Sequence, residues 1–193
     1  MSEKINRQAK RISTETKRLN TLMNDVLILG KVESQKATIR RERTELVEWS
    51  KELIENQFSN QKDGRTIEMS YIGKPQTVII DNQMLSHVLS NLFSNALKYS
   101  SGKPSPQFVI SYFEDKVIFK VKDFGMGIPQ KAQEKLFQPF FRANNVGSIQ
   151  GTGIGLVVIK EFVTINGGTV SVESVEHQGS TFTVVLPIEK ENY

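Results

Sequence analysis

Two asparagines and a lysine stand at positions 91, 95 and 98, within the stretch NLFSNALKYS. At 3.6 residues per turn, Asn91, Asn95 and Lys98 fall on one stripe of a helix. The opposite side is apolar and predicts contact with a core: Leu85, Leu89, Leu92, Phe93 and Ala96. Amide oxygens can ligate Mg²⁺, and an ammonium group can balance phosphate charge. The polar stripe is therefore a candidate site for a metal-bound phosphate group.

A second candidate segment is DFGMGIP, residues 123–129, which follows a predicted strand. Its Asp123 stands at the strand end, where side chains line clefts. Gly125 and Gly127 allow a close backbone approach to a flat ligand or a positive φ. A carboxylate held there can accept a hydrogen bond from an exocyclic amine, which would select adenine over guanine. An ordinary turn stabilised by the aspartate is the alternative interpretation.

The third segment is QGTGIGL, residues 150–156, at the start of a predicted helix. Small residues before a helix leave free N–H groups and the positive end of the helix dipole within reach of an anion. Thr152 adds a hydroxyl group. The segment lacks the Gly-Lys-Ser/Thr of a P-loop and the preceding strand of a dinucleotide fingerprint. It predicts a phosphate cradle of another type.

Between the two glycine segments lies LFQPFFRA, residues 136–143. Phe137, Phe140 and Phe141 are expected to anchor this loop by packing, although membership of the ordinary core is an equal alternative. Arg142 would then face outward or toward a phosphate. The polar residues 144–150 are typical of a lid over a ligand.

The elements that must position these segments are helices interleaved with antiparallel strand pairs. We predict helices over 46–56, 82–100 and 156–166, and Asp81 can cap the second. Predicted strands lie within 38–44, 67–71, 77–80, 108–113, 117–121, 169–174 and 181–186. This order predicts an α+β fold, a two-layer sandwich in which helices cover one face of a mixed sheet.

An N-terminal helical stalk is predicted before that sandwich. Its apolar residues follow heptad spacing: Ile5, Ala9, Ile12, Thr16, Leu19, Met23 and Val26. Further leucines make the stripe wider than a two-stranded seam, so more than one partner helix is expected. We expect a homodimer through residues 5–29, or contact with a segment that precedes this chain.

Composition restricts the function further. The 193 residues include no cysteine, which excludes disulfides, thiolate metal sites and a cysteine nucleophile. The net charge of +4 is mild and does not indicate a nucleic-acid partner. No apolar run approaches the roughly 20 residues that cross a bilayer, so no membrane contact is expected from this fragment.

In this order, the segments resemble the catalytic, ATP-binding domain of sensor histidine kinases, within the superfamily that includes gyrase, mismatch-repair and heat-shock-chaperone ATPases. The stretch at 91–100 is similar to the N box, 123–129 to the first glycine box, 136–143 to the F box and 151–156 to the second glycine box. The likeness covers about residues 40–188. Residues 18–34 resemble the second dimerisation helix. The implied domains are 1–36, a partial dimerisation and phosphotransfer helix, and 37–193, an ATP-binding domain of the Bergerat type.

The resemblance implies roles for individual residues. Asn95 would ligate Mg²⁺, Asp123 would bind the adenine amino group, and Asn91, Lys98 and Arg142 would serve catalysis. The implied contacts to ATP or ADP are Asn95, Lys98, Tyr99, Asp123, Gly125, Gly127, Ile128, Phe137, Arg142, Gly151, Thr152, Gly153, Ile154, Gly155 and Leu156.

The resemblance also implies partners. The γ-phosphoryl group would pass to a histidine on a dimerisation helix of the parent chain, and then to an aspartate of a response-regulator receiver domain, in the cytoplasm. That helix is missing here, and neither His87 nor His177 has the sequence context of the acceptor. The chain is therefore interpreted as a fragment that cannot phosphorylate itself.

Two alternatives stay open. One is a module that binds a nucleotide or dimerises without catalysis. The other is an ATP-hydrolysing clamp of the gyrase type, which is disfavoured because such proteins place a glutamate where Asn91 stands, and an amide cannot accept a proton at neutral pH.

Overall fold

The structure, a computed structural model, describes residues 5, 7–9, 12, 16, 19, 23, 26, 30, 40–147, 149 and 151–188. The chain divides into two compact units, residues 1–37 and 38–193. Each described residue of the first unit is α-helical. The stalk as a whole, its dimerisation and the domain roles stay predictions, because most of residues 1–36 lie outside the described residues.

The second unit contains two sheets. The smaller sheet pairs β1 (Glu42–Glu45) with β3 (Thr77–Ile80) in antiparallel orientation. The larger sheet has the order β2-β4-β5-β7-β6. Its strands are β2 (Glu68–Ile72), β4 (Gln107–Tyr112), β5 (Lys116–Asp123), β6 (Thr169–Val175) and β7 (Gly179–Pro187). Only the β2–β4 pair is parallel among these, so the sheet is mixed, as predicted.

Two long helices pack against the larger sheet: α2 (Asn82–Tyr99) and α4 (Gly155–Ile165). Helix α1 (Leu46–Phe58) packs beside α2, and α3 (Gln130–Gln133) is a single turn. The predicted apolar stripe of α2 is fully buried in the core. Phe93 of this helix lies edge-on to Phe58 of α1 and Phe108 of β4, with ring centroids 5.5 and 4.9 Å apart. The predicted two-layer α+β sandwich is confirmed.

The ends of α2 are held by specific contacts, which matter for the site. Asp81 accepts a hydrogen bond from Met84 N at 2.9 Å, which confirms the predicted N-cap. The second carboxylate oxygen of Asp81 accepts from Arg40 N at 2.8 Å. No helix of the described residues is both long enough and apolar enough to cross a membrane.

Candidate functional site

Helices α2 and α4 meet at the polar stripe of α2. Asn91 Nδ2 donates to His87 O at 3.0 Å, one turn earlier. A side chain at Gly155, the first residue of α4, would begin 2.7 Å from Asn91 Oδ1. A larger residue would have to displace the Asn91 side chain, so the amide of Asn91 lies directly against the N-terminus of an 11-residue helix. The free N–H groups and positive dipole end of α4 therefore face the same side as the α2 stripe.

Three predicted phosphate contacts converge on Gly151. A side chain at this glycine would begin 3.1 Å from Lys98 Nζ, 3.6 Å from the Tyr99 hydroxyl and 3.8 Å from Arg142 Nε. Lys98 Nζ donates to the Tyr99 hydroxyl at 3.0 Å and lies 4.5 Å from the centre of that ring. Lys98 and Arg142, 44 positions apart in sequence, thus form one cationic cluster beside a glycine-rich loop.

Arg142 of this cluster has an N–H group that could donate a further hydrogen bond. Its Nη2 donates to Ile149 O, in the loop that precedes Gly151. Its Nε is buried and has no hydrogen-bond partner among the described residues. A buried donor without a partner is costly, and an anionic ligand would satisfy it. The arrangement fits a phosphate group better than it fits a merely solvated arginine.

Asp123 is the last residue of β5 and only 6% exposed. Its Oδ1 accepts from Gly125 N at 2.8 Å. Burial raises the pKa of Asp123 above its usual value, and hydrogen bonds from the backbone of Gly125 and Ser180 oppose that rise. A partly desolvated carboxylate at a strand end is suited to accept a hydrogen bond from a ligand amine.

The loop 125–128 is fixed by close backbone contacts. A side chain at Gly125 would begin 2.2 Å from Tyr99 O, at the end of α2, and Met126 N donates to the same oxygen at 3.2 Å. Gly127 adopts φ 62°, and a side chain there would begin 2.0 Å from Val175 O. The predicted positive φ is therefore present at Gly127, whereas the close approach of Gly125 is to the backbone of α2, and the approach to a flat ligand stays a prediction.

The phenylalanines of 136–143 do not all pack as expected. Phe140 is 69% exposed and adopts φ 63°, which is unusual for a residue with a side chain. The cause is Gly153: Phe140 N donates to Gly153 O at 3.0 Å, and the two backbones are in contact. The expectation that Phe140 anchors the loop by side-chain packing is wrong. Its backbone ties the loop to the glycine segment, whereas Phe137 and Phe141 are half-buried.

Sequence reasoning missed several polar residues that support the site. Asn145 Nδ2 donates to Gly127 O at 3.0 Å, which joins the segment after Arg142 to the loop beside Asp123. Ser174 Oγ accepts from Ile128 N at 2.8 Å, and Gln133 Nε2 donates to Ile128 O at 2.9 Å. These contacts join side chains to distant backbone atoms, so no local pattern signals them.

The remaining predicted residues lie on α2, in the loop after β5 and at the start of α4. Ile154 is buried and Thr152 Oγ1 accepts from Ile154 N at 3.3 Å, so the hydroxyl shapes the loop before α4. Leu156 and Ile128 are half-buried and pack against the core. Asn95 is half-buried on α2, one turn from Asn91 and one turn from Lys98.

Few protein side chains at the candidate site could ligate a metal ion. The described residues contain no group of three or more His, Cys, Asp or Glu side chains that could hold a metal ion. A divalent ion there would need most of its oxygen ligands from water or from a bound phosphate chain. Mg²⁺ commonly binds proteins in this way, and the Asn95 amide fits the one-ligand role.

Comparison with known proteins gives one clear family match. A family model described as histidine kinase-, DNA gyrase B-, and HSP90-like ATPase matches residues 80–190. The sensor histidine kinase WalK of Bacillus subtilis is 34% identical over 92% of this chain, which spans 30% of that relative. The circadian input-output histidine kinase CikA of Synechococcus elongatus is 30% identical over 97% of this chain, which spans 26% of that relative.

Solved structures share the fold. Full-length ShkA in complex with AMPPNP superimposes with a TM-score of 0.78 at 22% identity, over 90% of this chain and 36% of that one. The Acinetobacter baumannii histidine kinase AdeS gives a TM-score of 0.74 at 23% identity, over 94% of this chain and 84% of that one. This chain spans less than a third of the length of the relatives WalK and CikA.

Proposed function

The chain belongs to the family of histidine kinase-, DNA gyrase B- and HSP90-like ATPases, and we propose that it is the ATP-binding catalytic part of a sensor histidine kinase. In this proposal, it transfers the γ-phosphoryl group of ATP to a histidine on a helix outside this chain. A receiver domain of a response regulator then accepts the group on an aspartate. The observation that carries the proposal is the convergence of Lys98, Tyr99 and Arg142 on Gly151.

The adenine end of the site follows from Asp123. A carboxylate oxygen accepts hydrogen bonds only, so it pairs with the exocyclic amine of adenine and not with the carbonyl of guanine. Asp123 accepts from the backbone of Gly125 and of Ser180, and a carboxylate has about four acceptor sites on its two oxygens, so it can also accept from a ligand amine. Gly125 and Gly127 let the loop after Asp123 lie directly against the backbone of Tyr99 and Val175, which fixes the loop beside this acceptor.

The phosphate end follows from the cations and from α4. The N–H groups at the start of α4 would donate to phosphate oxygens, and so would Arg142 Nε, which has no partner within the part of the chain that the structure describes. Lys98 and Arg142 would stabilise the charge that shifts toward the bridging oxygen as the γ-phosphoryl group leaves. Asn91 would hold a water or the ligand against Gly155. Asn95 would hold Mg²⁺ through its amide oxygen, and the ion would supply positive charge opposite the phosphates.

This chemistry is mainly positioning and charge stabilisation. Phosphoryl transfer has a loose transition state, so the protein gains most by aligning donor and acceptor and by balancing charge. The acceptor nitrogen of the histidine must then approach the γ-phosphate of the bound ATP. We propose that residues 5–29 form part of the dimeric helical bundle that supplies it, and that the protein works in the cytoplasm.

The test supplies the missing acceptor. The chain is mixed with a separately produced helical domain that carries the histidine, together with Mg²⁺ and ATP labelled at the γ-phosphate. We expect an acid-labile label on that domain, lost in Asn95→Ala and Arg142→Ala and retained in the control Asn56→Ala, which alters an exposed asparagine on α1. Free labelled phosphate without transfer would indicate a hydrolysing clamp. Binding with neither reaction would indicate a non-catalytic module.

A further inference from the structure

The planar guanidinium group of Arg65 donates hydrogen bonds to the C-terminus of α2. Its Nη1 donates to both the backbone oxygen and the hydroxyl of Ser100, each at 2.8 Å, and its Nη2 donates to Leu97 O at 2.8 Å. Its Nε donates to Asp63 Oδ2 at 2.7 Å, and its side chain is only 12% exposed. This residue lies in the coil between α1 and β2, far in sequence from every segment of the candidate site.

The carbonyls that Arg65 binds flank two phosphate-side residues. Leu97 and Ser100 enclose Lys98 and Tyr99, the pair that meets Gly151. The last carbonyls of a helix have no partner within the helix, and a cation placed there also complements the negative end of the helix dipole. A guanidinium that spans two carbonyls three residues apart therefore fixes the path of the final turn.

The other side of that turn is held by the loop after Asp123. Tyr99 O accepts from Met126 N and touches Gly125. Arg65 thus supplies the contacts to the carbonyls before and after this pair, and the loop supplies the contact to the carbonyl between them. Without Arg65, the carbonyls of this turn keep the hydrogen bonds from Met126 N to Tyr99 O and from Lys103 N to Ser100 O, while Leu97 O loses its bond to Arg65, so the directions of Lys98 and Tyr99 become less defined.

We propose that Arg65 is a positioning residue for the phosphate end of the nucleotide site: it clamps the last turn of α2 so that Lys98 and Tyr99 converge with Arg142 on Gly151. The inference rests on the proposed function, because it assigns Arg65 a role in ATP binding. It also predicts which part of the ligand is affected. Asp123 is held by strand pairing with Ser180, independently of Arg65.

The test compares ligands with and without phosphates on one set of variants. Dissociation constants for ATP with Mg²⁺ and for adenosine are measured by NMR titration on the chain and on Arg65→Met, Arg65→Lys and Asp63→Asn. Arg65→Met is expected to weaken ATP binding about tenfold and adenosine binding less than twofold, since a misaligned charged hydrogen bond typically costs about that much. Arg65→Lys keeps the charge but cannot span both carbonyls, so we expect at least a threefold loss for ATP.

Asp63→Asn is the matched control, because Asp63 contacts the guanidinium on the side away from α2. It leaves the three bonds to Leu97 and Ser100 in place, so ATP binding should stay within twofold. If Arg65→Met or Arg65→Lys weakened ATP and adenosine binding equally, Arg65 would contribute only to the stability of the fold, and the inference would be overturned. Unchanged ATP affinity would overturn it as well. A folded unmodified chain that binds neither ligand would instead refute the proposed function itself.

Discussion

Gly125→Ala tests the contact between the loop after β5 and the end of α2. The new methyl group would lie 2.2 Å from Tyr99 O, 2.7 Å from Tyr99 C and 2.9 Å from Asp123 Oδ1. Ordinary contacts begin beyond about 3 Å, so a backbone segment must move by roughly 1 Å to admit it. Two of the three atoms belong to the backbone of α2, which cannot rotate away as a side chain can.

The expected cost has two parts. Overpacking of this kind costs about 1–3 kcal/mol, which for a domain of this size lowers Tm by roughly 3–10 °C. Displacing the loop also weakens the hydrogen bond from Gly125 N to Asp123 Oδ1 and misplaces the adenine acceptor. We therefore expect about a tenfold loss in ADP affinity as well, equivalent to about 1.4 kcal/mol.

Differential scanning calorimetry and titration with ADP measure the two effects. The matched control is Gly30→Ala, since the added methyl group meets no heavy atom within 4 Å and the residue is helical. That control should leave ADP affinity unchanged and leave Tm unchanged or slightly higher. The reasoning fails if Gly125→Ala keeps both the Tm and the ADP affinity of the unmodified chain.

Three further changes follow from burial. Asp123→Asn should raise Tm at neutral pH and abolish ADP binding. Because the pKa of Asp123 is raised, its stabilising, protonated form is present at low pH and lost as pH rises. The gain in Tm should therefore vanish in acid, which scanning calorimetry across pH would measure. Tyr112→Phe should raise the free energy of unfolding by about 1 kcal/mol in urea denaturation, because the buried hydroxyl of Tyr112 has no hydrogen-bond partner among the described residues. Phe93→Ala should lower that free energy by about 3–5 kcal/mol in the same assay, because this fully buried ring packs edge-on against Phe58 and Phe108.

Each of these changes has an outcome that would contradict its reason. If the gain in Tm of Asp123→Asn did not depend on pH, ionisation of Asp123 would not be its cause. A loss of stability in Tyr112→Phe would mean that the hydroxyl has a partner in solution. Phe113→Ala, at a 47% exposed position, is the control for Phe93→Ala and should change stability by less than about 0.5 kcal/mol. Similar losses at the two positions would remove the argument from burial.

The sequence predicted those parts of the fold that depend on local pattern. The two faces of α2 follow from a 3.6-residue period, and Asp81 caps this helix as its residue type indicates. The strand ending at Asp123 follows from the alternation of Val117, Phe119 and Val121, all of which are buried. Element bounds shifted by a few residues, since helix and strand ends depend on their neighbours.

Features set by distant contacts were beyond local pattern. The separate β1–β3 sheet requires pairing of Glu42 with Ile80. The positive φ of Phe140 depends on Gly153, 13 residues later. The roles of Arg65 and Asn145 arise where their side chains reach the backbone of other elements. Composition and periodicity carry no information about such contacts.

The most direct test of the account is calorimetric titration of the folded chain with ADP in the presence of Mg²⁺. The account predicts one nucleotide per chain, with binding lost in Asp123→Asn and weakened in Arg142→Ala, because one ligand contacts both groups. Absence of heat from a folded chain, or equal affinity in all three proteins, would contradict the claim that Asp123 and Arg142 belong to one site for an adenine nucleotide.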